Sequence, residues 1–100
     1  MREFDNITKI VRVNLPNSKV ILFGSFAKGT QKSDSDIDIC IIIDELNMRR
    51  IEICNMLRNE LMDEIDTPID ILVFQKDEFE EAAQNPSRIE YAIAREGVEI

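Results

Sequence analysis

Leu22-Phe23-Gly24-Ser25-Phe26-Ala27-Lys28-Gly29-Thr30-Gln31-Lys32-Ser33-Asp34-Ser35-Asp36-Ile37-Asp38 is the stretch on which the reading of this chain turns. An apolar run breaks off at Gly24-Ser25, and a short basic loop with a second glycine follows. Asp36-Ile37-Asp38 then leads directly into Ile39-Cys40-Ile41-Ile42-Ile43. Carboxylates at the head of an apolar strand lose solvation unless something pairs with them. A divalent metal ion is the usual partner.

The flanking segments place this stretch in a fold. Lys19–Phe23 is short and bounded by Pro16-Asn17-Ser18 and Gly24, which marks a buried strand. Residues 36–43, rich in β-branched side chains, form a second strand, and Ser25–Lys28 has room for one helical turn between the two. Upstream, Phe4, Ile7, Val11 and Leu15 recur at helical spacing until Pro16. Downstream, residues 48–65 carry Ile51, Cys54, Leu57, Leu61 and Ile65 on one stripe, a helix with its charges opposite. Ile69–Phe74 is a third strand, with Pro68 just outside it. Residues 77–83 read as a short helix, and Asn85-Pro86 as the start of a last helix that Gly97 closes.

A helical crossover makes strands two and three parallel. The short link between strands one and two makes those antiparallel. The predicted class is therefore α+β, a small mixed sheet with helices packed on it. Its topology gathers the end of the first strand and the starts of the other two on one sheet edge. Gly24, Ser25, Asp36, Asp38 and Asp70 occupy those positions. The two-residue period of a strand turns Asp36 and Asp38 to one face.

Composition narrows the chemistry. One hundred residues suit one domain, 1–100, and a net charge of −8 disfavours the nucleic-acid backbone as a direct partner. No apolar run approaches the length of a membrane span. The start lacks a signal peptide's apolar segment, and Cys40 and Cys54 have no metal-ligand spacing; both point to the reducing cytoplasm. The chain contains no histidine, which removes Ser-His-Asp and Cys-His chemistry, leaves Ser25 without a base and takes away the commonest zinc ligand. Asp34, Asp36, Asp38 and Glu45 match calcium-loop positions, but Ile39 stands where such a loop needs glycine.

What remains is carboxylate chemistry. Close carboxylates repel one another unless a cation neutralises them, and an all-oxygen set favours Mg²⁺ or Mn²⁺. Gly24 permits a tight turn, the amides after it face an anion, and Lys28 adds positive charge. A phosphate cradle beside a metal site suggests metal-assisted phosphoryl or nucleotidyl transfer. Ser33 and Asp34 are read as shaping the loop, and Lys32 as a solvated charge.

Gly24-Ser25, ten residues, Asp36-x-Asp38 and a later strand Asp70 together resemble the DNA polymerase β-like nucleotidyltransferase superfamily. The compact form resembles its minimal nucleotidyltransferases, the MntA-like antitoxins of HEPN/MNT toxin–antitoxin systems. By that resemblance Asp36 and Asp38 hold catalytic Mg²⁺, two ions in all, and Asp70 completes the triad and helps activate the acceptor hydroxyl. Gly24 and Ser25 hold the triphosphate of ATP. Lys28 stands where the family often has Arg, so the charge is kept and the bidentate grip is lost.

The resemblance implies AMP transfer from ATP to a tyrosine of a HEPN-type toxin. The short chain leaves little surface to enclose a second substrate, which fits an acceptor presented by a partner protein. Two alternatives are a catalytic subunit that borrows a small-molecule site from a helical partner, and a non-catalytic antitoxin that acts by binding alone.

Overall fold

The computed structural model describes residues 2–100, with side chains from Phe4 onward. Its elements in chain order are α1 (Arg2–Asn14), β1 (Lys19–Phe23), α2 (Ser25–Lys28), β2 (Ile37–Ile43), α3 (Arg50–Glu64), β3 (Ile69–Gln75), α4 (Lys76–Ala82), α5 (Ile89–Glu96) and β4 (Val98–Glu99). The sheet runs β3-β2-β1-β4. β1 is antiparallel to β2 and β4, and β2 is parallel to β3. Mixed α+β architecture and the predicted strand directions are both present.

Strand alternation divides the interior into two cores. Ile37, Ile39, Ile41 and Ile43 of β2 turn to one face, where Ile7 and Val11 of α1 and Ile53, Leu57 and Leu61 of α3 cover them completely. Cys40 and Ile42 turn to the other face, against Phe79 of α4 and Ile93 of α5. The second layer is shorter and packs on Ile21, Phe23, Leu72 and Phe74, which stay only partly buried. The starts of β2 and β3 extend beyond it.

Four details depart from the sequence reading. Ile51 is 59% exposed, and Ile53 takes its place in the core. Asn85 caps a turn rather than a helix: its Oδ1 accepts from the Ser87 amide and hydroxyl, and α5 begins only at Ile89. Ile89 then lies exposed while Glu90 is buried, ion-paired to Arg88. The two-residue β4 was not expected, and it pairs Glu99 with Ile21 and Val98 with Leu22. No helix among the described residues is long and apolar enough to cross a membrane.

Gly97 makes the turn from α5 into β4. A Cβ there would overlap Ile21 Cγ2 and come far too close to the Ile93 carbonyl oxygen. Its φ is unexceptional, so glycine is required for space alone. Gly97→Ala is expected to lower stability by about 1–3 kcal/mol, the usual cost of overpacking, as a fall in the urea midpoint at unchanged m-value.

Candidate active site

The register of three strands assembles the site. Phe23 pairs with Asp38 on β2, and Asp38 pairs with Asp70 on β3. The last residue of β1 and the second residues of β2 and β3 therefore stand side by side, neighbouring strands being roughly 4.8 Å apart. All three share the face covered by α4 and α5, at the end those helices leave open. Asp36 precedes β2 by one residue, on the same side as Asp38 by alternation, and is exposed, as is Asp70.

Gly24 bends the chain away from β1 with φ 72° and ψ −152°, a conformation that a side chain disfavours. A second constraint is independent of the first. A Cβ on Gly24 would overlap Asp38 Oδ2, so the carboxylate occupies the space that any other residue would fill. The two halves of the motif are in this sense one packing unit.

α2 follows at once. The Lys28 amide donates to the Gly24 carbonyl at 3.2 Å, so the amides of Ser25, Phe26 and Ala27 precede the first intrahelical bond and have no acceptor within the helix. Phe26 and Ala27 anchor this turn in the larger core, and Phe26 meets Phe4 edge-on at 6.1 Å between centroids. Gly29 then takes the left-handed conformation at φ 71° and ends the helix.

Lys28 is ion-paired in this structure. Its Nζ lies 3.1 Å from Glu96 Oε2 at the end of α5, a pair about half exposed on both sides. Ser33 and Asp34 sit at the tip of a turn in which the Lys32 amide donates to Ser35 Oγ and the Ser35 amide to the Lys32 carbonyl.

Asp38 carries the electrostatic signature of the site. Its pKa is raised above 3.8, first by burial and then by the charge and side chain of Asp70, with a smaller contribution from Asp36. Asp70, opposite Asp38 in the strand register, is thus the stronger acidic influence on it and Asp36 the weaker. Among the described residues no three His, Cys, Asp or Glu side chains are drawn together closely enough to hold an ion as they stand. The elements bring Asp36, Asp38, Asp70, Gly24 and Ser25 to one edge; they leave Lys28 turned to Glu96.

Sequence reasoning did not detect a groove beside Asp70. It lies between the second half of α3 and the outer edge of β3, and about 490 Å³ of space opens there. Arg58, Met62 and Pro68 are among its walls. The available signal was Met62, an apolar side chain off the helix's buried stripe, now 71% exposed.

Residues 5–99 match the nucleotidyltransferase domain family. A protein adenylyltransferase MntA from Shewanella oneidensis strain MR-1 is 37% identical over 65 residues, which are 62% of this chain and 47% of that protein. The chain thus spans about half the length of this curated relative. Among solved structures, a toxin–antitoxin complex with AMP-PNP superposes with a TM-score of 0.63 and 26% identity, over 99% of this chain and 72% of that one. A mutant MntA–HpeT toxin–antitoxin structure superposes with a TM-score of 0.58 over 95% of this chain and 69% of that one; at 22% identity this likeness concerns the fold.

The raised Asp38 pKa fixes the sign of a stability effect. The native state holds this proton more tightly than the unfolded chain, so the contribution is full below pH 3.8 and is lost as pH rises through the raised value. At neutral pH the ionised Asp38 therefore opposes folding. Like charges directly opposite across strands cost roughly 0.2–1 kcal/mol. In metal-free buffer at pH 7, Asp38→Asn is expected to melt about 1–8 °C above the parent chain. The gap should close by pH 4, and differential scanning fluorimetry across that range checks it.

Proposed function

The chain belongs to the nucleotidyltransferase domain family, and on that premise we propose that it transfers AMP from ATP to a hydroxyl of a partner protein. The observation that carries this reading is the register Phe23–Asp38–Asp70, which sets a glycine turn, a carboxylate pair and the head of a third strand side by side. A purely structural strand end gains nothing from two carboxylates whose proximity raises a pKa.

The donor set suits a hard divalent cation. It is all carboxylate oxygen, partly exposed, and its own electrostatics call for positive charge. Asp38 and Asp70 would hold Mg²⁺, with Asp36 drawn in from its exposed position beside them. Mn²⁺ meets the same requirements, and phosphate oxygens and water would complete the coordination of two such ions. Bound there, the metal would supply charge stabilisation on the attacking and leaving oxygens.

The chain's own residues account for the other steps. Gly24 brings bare backbone up to the triphosphate, and the free amides from Ser25 onward donate to its oxygens. Lys28 serves as phosphate cation only by exchanging Glu96 for the nucleotide. The acceptor oxygen attacks the α-phosphorus, the bond from that phosphorus to the bridging oxygen breaks, and pyrophosphate leaves with the electron pair. Asp70 takes the hydroxyl proton and, being exposed, passes it to water.

A helical HEPN-type toxin with a tyrosine acceptor fits this reading, because the curated relative is named a protein adenylyltransferase and the superposed complexes are toxin–antitoxin pairs. The acidic charge of −8 suits a basic, RNA-cutting partner, and the two free cysteines suit the cytoplasm. The domain 1–100 would act as the antitoxin.

Incubation with the neighbour-encoded partner, ATP and Mg²⁺ should add one or more AMP groups to that partner, read by intact-protein mass spectrometry. Asp36→Asn, Asp38→Asn and Asp70→Asn should each slow transfer by at least about 100-fold, on the order of 3 kcal/mol. No added AMP, together with full neutralisation of the partner by Asp36→Asn, would overturn the catalytic reading in favour of binding alone.

A further inference from the structure

β3 is an edge strand of the sheet, and α3 guards only part of its free side. Arg50 Nε donates to the Val73 carbonyl at 3.1 Å, and Cys54 Sγ lies 3.8 Å from the Ile71 carbonyl. These contacts show that the backbone at 71 and 73 faces outward, and strand alternation gives Ile69 the same outward aspect. At Ile69 the covering side chains give way to the groove of about 490 Å³, whose walls include Met62, Thr67, Pro68, Ile69 and Asp70. An unguarded length of strand edge beside an apolar wall is suited to pairing with an added strand.

The electrostatics of this corner select the occupant. Residues 58–71 carry Glu60, Asp63, Glu64, Asp66 and Asp70 against Arg58 as their single basic residue. No basic residue stands in the last turn of α3, so the negative end of its dipole is uncompensated toward the same corner. Lys or Arg on an incoming segment would meet this field, while an apolar side chain would cover Met62.

We propose that an extended, basic segment of the acceptor protein adds to the outer edge of β3 at Ile69, in the groove beside α3, and so delivers its hydroxyl-bearing side chain to Asp70. The inference rests on the nucleotidyl-transfer reading for the word acceptor; the docking of a basic strand stands on the groove, the open edge and the charge. The position is chemically apt. The phosphate turn is at the end of β1, the carboxylate pair is central, and the groove lies beyond β3, on the side opposite the turn. In-line displacement needs the attacking oxygen opposite the leaving group.

Two synthetic nonapeptides test this: Lys-Arg-Val-Lys-Tyr-Lys-Val-Arg-Lys, and a twin with Glu at every basic position. With the ¹⁵N-labelled chain, the basic peptide should shift the amides of Met62, Thr67 and Ile69 saturably, and the acidic twin should not. Met62→Lys combined with Asp66→Lys, both at exposed positions, should weaken the basic peptide at least tenfold. Asp66→Lys alone should weaken it in the same direction and serves if the double variant fails to fold. Shifts confined to other surfaces, no saturable shift, or equal affinity in the variants would overturn the proposal. Mg²⁺ with ATP, titrated separately, reads the amides of Ser25 to Lys28. If those stay still while the peptide binds the groove, the nucleotidyl-transfer reading fails and the docking site stands.

Discussion

The Asp38 carboxylate lies where the Cβ of Gly24 would be, and much of the chain can be understood as the means of holding it there. The contact requires β1 and β2 to pair antiparallel with Phe23 opposite Asp38, since a slip of one residue would turn Asp38 to the opposite face. It requires the backbone to leave β1 through positive φ, which Gly24 allows. It also requires a carboxylate to tolerate partial burial next to Asp70. Each condition is unfavourable in isolation. The four fully buried isoleucines and valines of β1 and β2 (Val20, Ile37, Ile39 and Ile41) each contribute roughly 1.5–3 kcal/mol, more than enough to offset them.

One alternation rule then serves both stability and chemistry. Odd residues of β2 enter the core under α1 and α3 along the whole strand. Even residues divide by position: Cys40 and Ile42 are roofed by α4 and α5, whereas Asp38 lies beyond the roof. The site is open because the second helical layer is short. Burial raises the Cys40 thiol to about 12, so it stays protonated and inert, two residues along the same strand face from the partly exposed Asp38. The difference between them is the reach of the roof.

What was legible in the sequence follows from how local the determining physics is. The β-branched run, the glycine-serine break and the position of Asp70 gave the strands, their directions and the shared edge, because crossover length and strand period operate over short distances. Features set by packing between distant segments were not legible. Ile51 and Ile53 are equally apolar, and only the placement of α3 on the sheet selects Ile53. Asn85 carries a helix-cap signal that the Ser87 hydroxyl and amide use up in a turn. β4 has two residues and no periodicity to read, and it exists because Gly97 can press against Ile21. The pairing of Lys28 with Glu96 depends on a helix nearly seventy residues away.

The order of strands across the edge gives these pieces a direction. Moving from β1 to β3, the chain presents amides without an acceptor in α2, the partly buried Asp38 and then the exposed Asp70 at the margin of a groove. The amides of the glycine turn and the exposed Asp70 are thereby kept on opposite sides of Asp38. Their separation is about two strand spacings, roughly 10 Å, and the proposed transfer would place the phosphoryl group within that span. A sheet with β2 at its margin would bring Asp38 to the edge just as well, yet would leave no neighbour to carry Asp70. The central position of β2 therefore does two things at once: it buries the most apolar strand, and it gives the partly buried Asp38 a neighbour on each side, a glycine that yields space and an aspartate whose charge raises its pKa.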